Sequence, residues 1–165
     1  MATRIIFQNP TKDIMTVVIP AFNDRSRPEG ETADELIARV IAQIVPEGTP
    51  RWIVDSETPD VKAFLEDRTF RNAWECSASG DMEVSMSKAR VIHMDKIREV
   101  RNAELVARDI PFMRAIEAGD TDAQSTIGTE KQVLRDLPAT FDITTGVDTP
   151  EKLKAKWPTE LPARE

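Results

Sequence analysis

The sequence predicts an α+β fold: a small antiparallel β/α body at the front, then a helical hairpin and a short C-terminal helix. Three observations carry this. β-rich runs occur only in the first half, amphipathic helical spacing dominates from Ser85 onward, and a proline-punctuated segment closes the chain. The expected boundaries are an acidic α/β body at 1–84, a charged helical hairpin at 85–138, and a C-terminal segment at 139–165 whose short helix packs on the body.

Arg4 to Phe7 and Ile14 to Ile19 are apolar, β-branched runs. Between them, Asn9, Pro10, Thr11, Lys12 and Asp13 have the composition of a turn, so the two runs read as a hairpin. Pro20 ends the second because it has no N–H to give a ladder. Thr32, with Glu35 three residues on, forms a capping box, and Leu36, Ile37, Val40, Ile41 and Ile44 recur at helical spacing. That helix should stop near Val45, before Pro46 and Gly48. Arg51 to Val54 reads as a third strand.

Ser56 to Asp67 is acidic, yet Val61, Phe64 and Leu65 allow a short packed helical turn. Phe70 and Trp74 stand four apart, which would set both rings on one face of a helix and make them core anchors. A loop from Cys76 to Asp81 leads to a brief strand at Met82 to Val84. The longest helix follows, capped by Ser85 or Ser87 and reaching Ala107. Its apolar stripe is expected at Met86, Ala89, Ile92, Lys96 by its stem, Ile97, Val100 and Leu105. A second helix runs from about Asp109 to Gly119. A third starts on a Thr121/Gln124 capping box and stops at Pro138. The cheapest burial of their faces folds the third helix back on the first as an antiparallel pair. Thr149 and Pro150 open the last helix, which Leu153 and Trp157 pin down.

Composition narrows the function. The formal charge is -7 over 165 residues, which disfavours nonspecific attraction to nucleic acid or anionic membrane. The acid excess sits in front: residues 1–84 hold 9 basic and 15 acidic side chains. No apolar run approaches the roughly 18 residues of a membrane span, and no long apolar signal segment follows Met1. Cys76 is the single cysteine, so an internal disulfide or CxxC pair is excluded and an intracellular setting is the simpler expectation.

No catalytic, cofactor-binding or metal-ligating residue is assigned. His93 is the only histidine and lacks HExxH or Cys-His spacing, so a packing or surface role is expected. Cys76 and His93 have no local motif that would make them a nucleophile and its base. Asp55, Glu57, Asp60, Glu66 and Asp67 form the densest carboxylate group, without EF-hand spacing, and read as loop charges, caps and salt links to Arg68 and Arg71. A carboxylate-dependent hydrolase is the weakest alternative. Arg90, Lys96, Arg98, Arg101 and Arg108 alternate with Asp95, Glu99, Glu104 and Asp109, which describes a hydrated helix surface and not a nucleic-acid face.

Several phrases, "RWIVD", "DRTFRNAWE", "KARVIHMDKIREVRNAEL", "FMRAIEAGDTDAQSTIG", "KQVLRDLP" and "TPEKLKAKWPTELP", run in an order that resembles small tail-region proteins of tailed bacteriophages, described as tail-fibre-assembly-like or tail-associated. The resemblance spans about residues 50 to 161 and rests most on Asp67, Arg68, Phe70 to Trp74, Gly119, Asp120, Ala123, Gln124, Pro150, Leu153, Trp157 and Pro158. It implies a non-enzymatic, protein-binding role in tail or tail-fibre assembly, as a chaperone or as a structural component retained in the mature tail. The implied partner is a phage tail or tail-fibre protein, with self-association through the helical hairpin as a further option. The implied setting is the host cytoplasm during assembly, or the virion tail. A small regulatory binding protein of another class is the remaining alternative.

Overall fold

A computed structural model describes residues 2–164 and divides the chain into two compact units, Met1–Ser85 and Met86–Glu165.

The first unit is built on a three-stranded antiparallel sheet of order β2-β1-β3, with β1 at Thr3–Asn9, β2 at Ile14–Val18 and β3 at Arg51–Asp55. The register pairs Ile6 with Val17 on one side and with Trp52 on the other. Asn9 sets the turn: its Oδ1 accepts the N–H groups of Thr11 and Lys12, both at 3.0 Å. β1 is central, and Ile5, Ile6 and Phe7 are all at most 1% exposed. Their consecutive burial means that both faces of this strand are covered.

Side chains alternate across the sheet. Ile6, Met15, Val17, Trp52 and Val54 share the face that packs with Phe64, Leu65, Trp74, Cys76, Met82 and Val84. The covering elements are α2 (Pro59–Glu66) and a two-stranded ribbon of β4 (Trp74–Cys76) and β5 (Met82–Val84). Gln8 ties ribbon to sheet, its Oε1 accepting the Cys76 N–H at 3.2 Å. Helix α1, Ala33–Ile44, carries the expected reciprocal cap: Glu35 N–H to Thr32 Oγ1 at 3.3 Å, and Thr32 N–H to Glu35 Oε2 at 2.8 Å.

Phe70 and Trp74 are both buried, at 2% and 3% exposure, but not on one helix face. A 3₁₀ turn at Arg71–Ala73 ends where Trp74 enters β4 opposite Val84. The i,i+4 spacing is real, but the Ser85 N–H bond to the Ala73 carbonyl and the strand ladder hold this backbone extended.

The second unit is a helical hairpin. Its first arm is one long helix with a bend: α3, Met86–Ala107, then α4, Asp109–Glu117. Pro111 accounts for the bend, because it cannot donate to the Ala107 carbonyl and its ring crowds that turn. Arg108 instead donates its N–H to Leu105 at 3.2 Å. α4 ends in a Schellman motif on Gly119, at φ 69°. Asp120 N–H reaches the Ala115 carbonyl at 2.9 Å and Gly119 N–H reaches Ile116 at 3.0 Å.

Asp120 also opens the return arm, α5 (Thr121–Thr140), by accepting the Ala123 N–H at 2.9 Å. The cap is therefore Asp120 and not Thr121, and Gln124 spends its amide on the Ala115 carbonyl at 3.2 Å. Nor does Pro138 stop the helix. It lies in the last turn, where only its own bond to Leu134 is lost, and the chain leaves the helix at Phe141, whose N–H still reaches Leu137 at 2.9 Å.

The arms run antiparallel. Arg108 meets Glu130 at 3.1 Å, and Ile97, earlier in α3, meets Leu134 and Leu137, later in α5. α4 as well as α3 packs on α5, so the segment from Pro111 to Gly119 is part of the arm. Along the seam Ile97 and Leu134 are buried and Val100, partly buried, packs against them, whereas the half-buried Ile127 lies along the stretch facing α4. Complete burial of a side chain such as Ile97 or Leu134 contributes about 1.5–3 kcal/mol.

The closing segment, expected on the front body, packs on α3 and α5. Leu161 joins Met94, Ile97, Leu134 and Leu137, with Trp157 against them. α6, Pro150–Ala155, is capped by Thr149, and Leu153 is fully buried. The physical reason lies on α3. Its buried residues are Ala89, His93, Met94 and Ile97, a broader face than the stripe read through Ile92 and Lys96, and one that the C-terminal segment helps to cover.

Candidate functional site

His93 is 1% exposed. Its Nε2 lies 2.7 Å from the Lys156 carbonyl, and its ring stands edge-on to Trp157 at 5.9 Å. Burial pulls its pKa below the ordinary histidine value, partly offset by that hydrogen bond. It is a core group joining α3 to the closing segment. Cys76 is half-buried in the first unit, and burial pushes its thiol up to about 11, far from a reactive thiolate.

The acidic group does not converge. Asp55 accepts the N–H groups of Ala2 at 3.2 Å and Glu57 at 3.1 Å, with the Glu57 bond the larger cause of its lowered pKa. Asp60 sits in the first turn of α2, and Asp67 accepts the Thr69 N–H at 3.3 Å. Among the described residues no three His, Cys, Asp or Glu side chains are placed to hold a metal ion. The expected salt links to Arg68 and Arg71 do not form: neither arginine has an ion pair among the described residues.

Two other features stand out. The first is an apolar row on the bent arm of the second unit. Val106, Ile110, Met113 and Ile116 are 67%, 64%, 55% and 45% exposed. Steps of four, three and three residues keep them on one side of the arm. The opposite side of α4 is spent on α5, through buried Ala115 and through Phe112 beneath the Lys131 ammonium at 5.3 Å. Arg108 pairs with Glu104 at 2.7 Å beside the start of this row, and earlier on α3 Arg98 pairs with Asp95 at 2.7 Å and Lys96 with Glu99 at 2.8 Å. Each exposed pair contributes only tenths of a kcal/mol to about 1 kcal/mol, so the charges hydrate the arm more than they stabilise it. The alternating signs are legible in sequence. The apolar row is not, because Val106 and Ile110 fall on either side of the Arg108 bend.

The second feature is a hollow of about 320 Å³ in the first unit. Val17 from β2, Ile19 just beyond it, Leu65 from α2 and Trp74 form its apolar wall, and Trp74 is held against Phe64 at 5.1 Å between ring centroids. Arg4, Lys62, Arg68 and Arg71 line it together with Ser56, Glu57 and Glu66. Positions 4, 62, 68 and 71 give no local motif, so only the fold reveals the grouping.

No family model, curated protein or solved structure matches the chain. Among the described residues no helix is long and apolar enough to cross a membrane.

Proposed function

We propose that this chain is a non-enzymatic binding factor in the assembly of a bacteriophage tail or tail fibre, acting as a chaperone that holds a tail protein against the bent arm of its helical hairpin. The observation that carries the reading is the exposed row Val106, Ile110, Met113 and Ile116. Four large apolar side chains in one line, on an arm that carries paired charges, have the pattern of a helix face that docks a protein partner. The charges fix orientation and discourage nonspecific clustering. The row is short against the roughly 20–30 residues a side of a stable interface, and this favours a reversible hold over permanent incorporation.

The test is co-purification of the tagged chain from infected cells, with mass analysis of assembly intermediates and finished particles. Recovery with a tail or fibre protein in intermediates alone supports the chaperone. Fixed stoichiometry in finished particles would instead make it a tail component. No tail protein recovered, with assembly normal after deletion of the gene, would overturn the assembly reading.

A further inference from the structure

We propose that the hollow of the first unit binds a small organic oxyanion, a carboxylate or phosphate carried on an apolar body of a few carbons. The unit as a whole repels such a ligand, since residues 1–84 hold 9 basic and 15 acidic side chains. Yet four of those nine cations, Arg4, Lys62, Arg68 and Arg71, line this one hollow. Elsewhere in the unit Arg27 and Arg39 are spent on Glu31, at 3.1 and 2.7 Å. Lys62, Arg68 and Arg71 have no ion pair among the described residues, and all three are exposed.

Two guanidinium groups three residues apart, with an ammonium nearby, present the planar, multi-donor geometry that carboxylate and phosphate oxygens accept. Val17, Ile19, Leu65 and Trp74 supply a surface for carbon, and Ile19 is 65% exposed there. A volume of about 320 Å³ is at the small end of ligand sites. Glu57 and Glu66 leave four cations against two carboxylates, a modest excess that suits a mono- or dianion and argues against a nucleic-acid strand.

Amide-resolved NMR titration of the full chain tests this with hexanoate and hexyl phosphate as probes, and with hexanol and inorganic phosphate as body-only and head-only controls. At low salt, about 50 mM, hexanoate or hexyl phosphate should give saturable shifts confined to residues 17–19 and 56–74. The better of the two should bind at least about tenfold more tightly than either control, and it identifies the head group. The double variant Arg68→Gln/Arg71→Gln should weaken it by at least about tenfold with the remaining spectrum unchanged. Should that variant fail to fold, Lys62→Gln, at an exposed helix position, reads the same contact as a several-fold loss. Shifts scattered over the surface, no saturation by about 10 mM, or wild-type affinity in the variants would overturn the proposal.

Discussion

The Nε2 atom of His93 lies 2.7 Å from the carbonyl oxygen of Lys156, so the middle of α3 is joined to the residue that follows α6. The imidazole has 1% exposure, and burial lowers its pKa from the ordinary 6.5. Between its folded and unfolded values the unfolded chain binds more protons. The stability contribution is therefore complete above about pH 6.5 and is lost as pH falls through the folded value. Hydrogen exchange of α3 and α5 amides should show the second unit weakening from pH 7.5 toward pH 5.5. His93→Gln should flatten that dependence, and an unchanged slope in the variant would assign it to other groups.

Trp74 is 3% exposed and packs on Phe64. Trp74→Ala should lower the stability of the first unit by about 3–5 kcal/mol in urea unfolding, from lost burial plus the cavity. A loss below about 1 kcal/mol with the fold intact would remove Trp74 from the core and, with it, the wall of the hollow.

Gly80 and Gly119 both have positive φ, at 92° and 69°, but in different surroundings. A Cβ on Gly80 would come within 2.3 Å of the Trp52 ring, whereas one on Gly119 meets nothing within 4 Å. Gly119→Ala should cost only the left-handed strain, about 1–2 kcal/mol. Gly80→Ala adds displacement of a large ring and should cost clearly more. Equal losses would show that the β4–β5 loop moves away from Trp52 without resistance.

The fold was legible where a local rule decides alone: the Thr32/Glu35 box, the Asn9 turn and the Thr149-Pro150 entrance each specify an element from a few residues. It was not legible where tertiary partners choose between local options. Trp74 satisfies a helical spacing with Phe70, yet its backbone pairs with Val84. Asp120 and Thr121 are both competent caps, and the Schellman turn at Gly119 selects Asp120. His93 could be read from sequence only as a packing or surface residue, because the carbonyl that satisfies it in the core comes from Lys156, 63 residues later. The hollow collects Arg4 from β1 with Lys62, Arg68 and Arg71, a grouping that only the tertiary fold provides.

The apolar row can be tested apart from the fold because its side chains contribute little to the core. Ile110 and Met113 are 64% and 55% exposed, and neither belongs to the cluster of Met94, Ile97, Leu134 and Leu137. Replacing both with serine removes apolar surface while leaving Ala115, Phe112 and the Lys131 contact in place. Surface changes of this kind usually alter stability by no more than about 0.5 kcal/mol. Urea unfolding of Ile110→Ser/Met113→Ser should therefore match the parent closely. Under the proposed function, capture of a tail protein should fall by at least about tenfold, since each buried side chain of this size contributes about 1.5–3 kcal/mol on full burial. The same pair of substitutions leaves the first unit untouched, so oxyanion binding in its hollow should persist. Undiminished capture by a folded Ile110→Ser/Met113→Ser variant would move the partner surface off this arm, even if a tail protein still co-purifies.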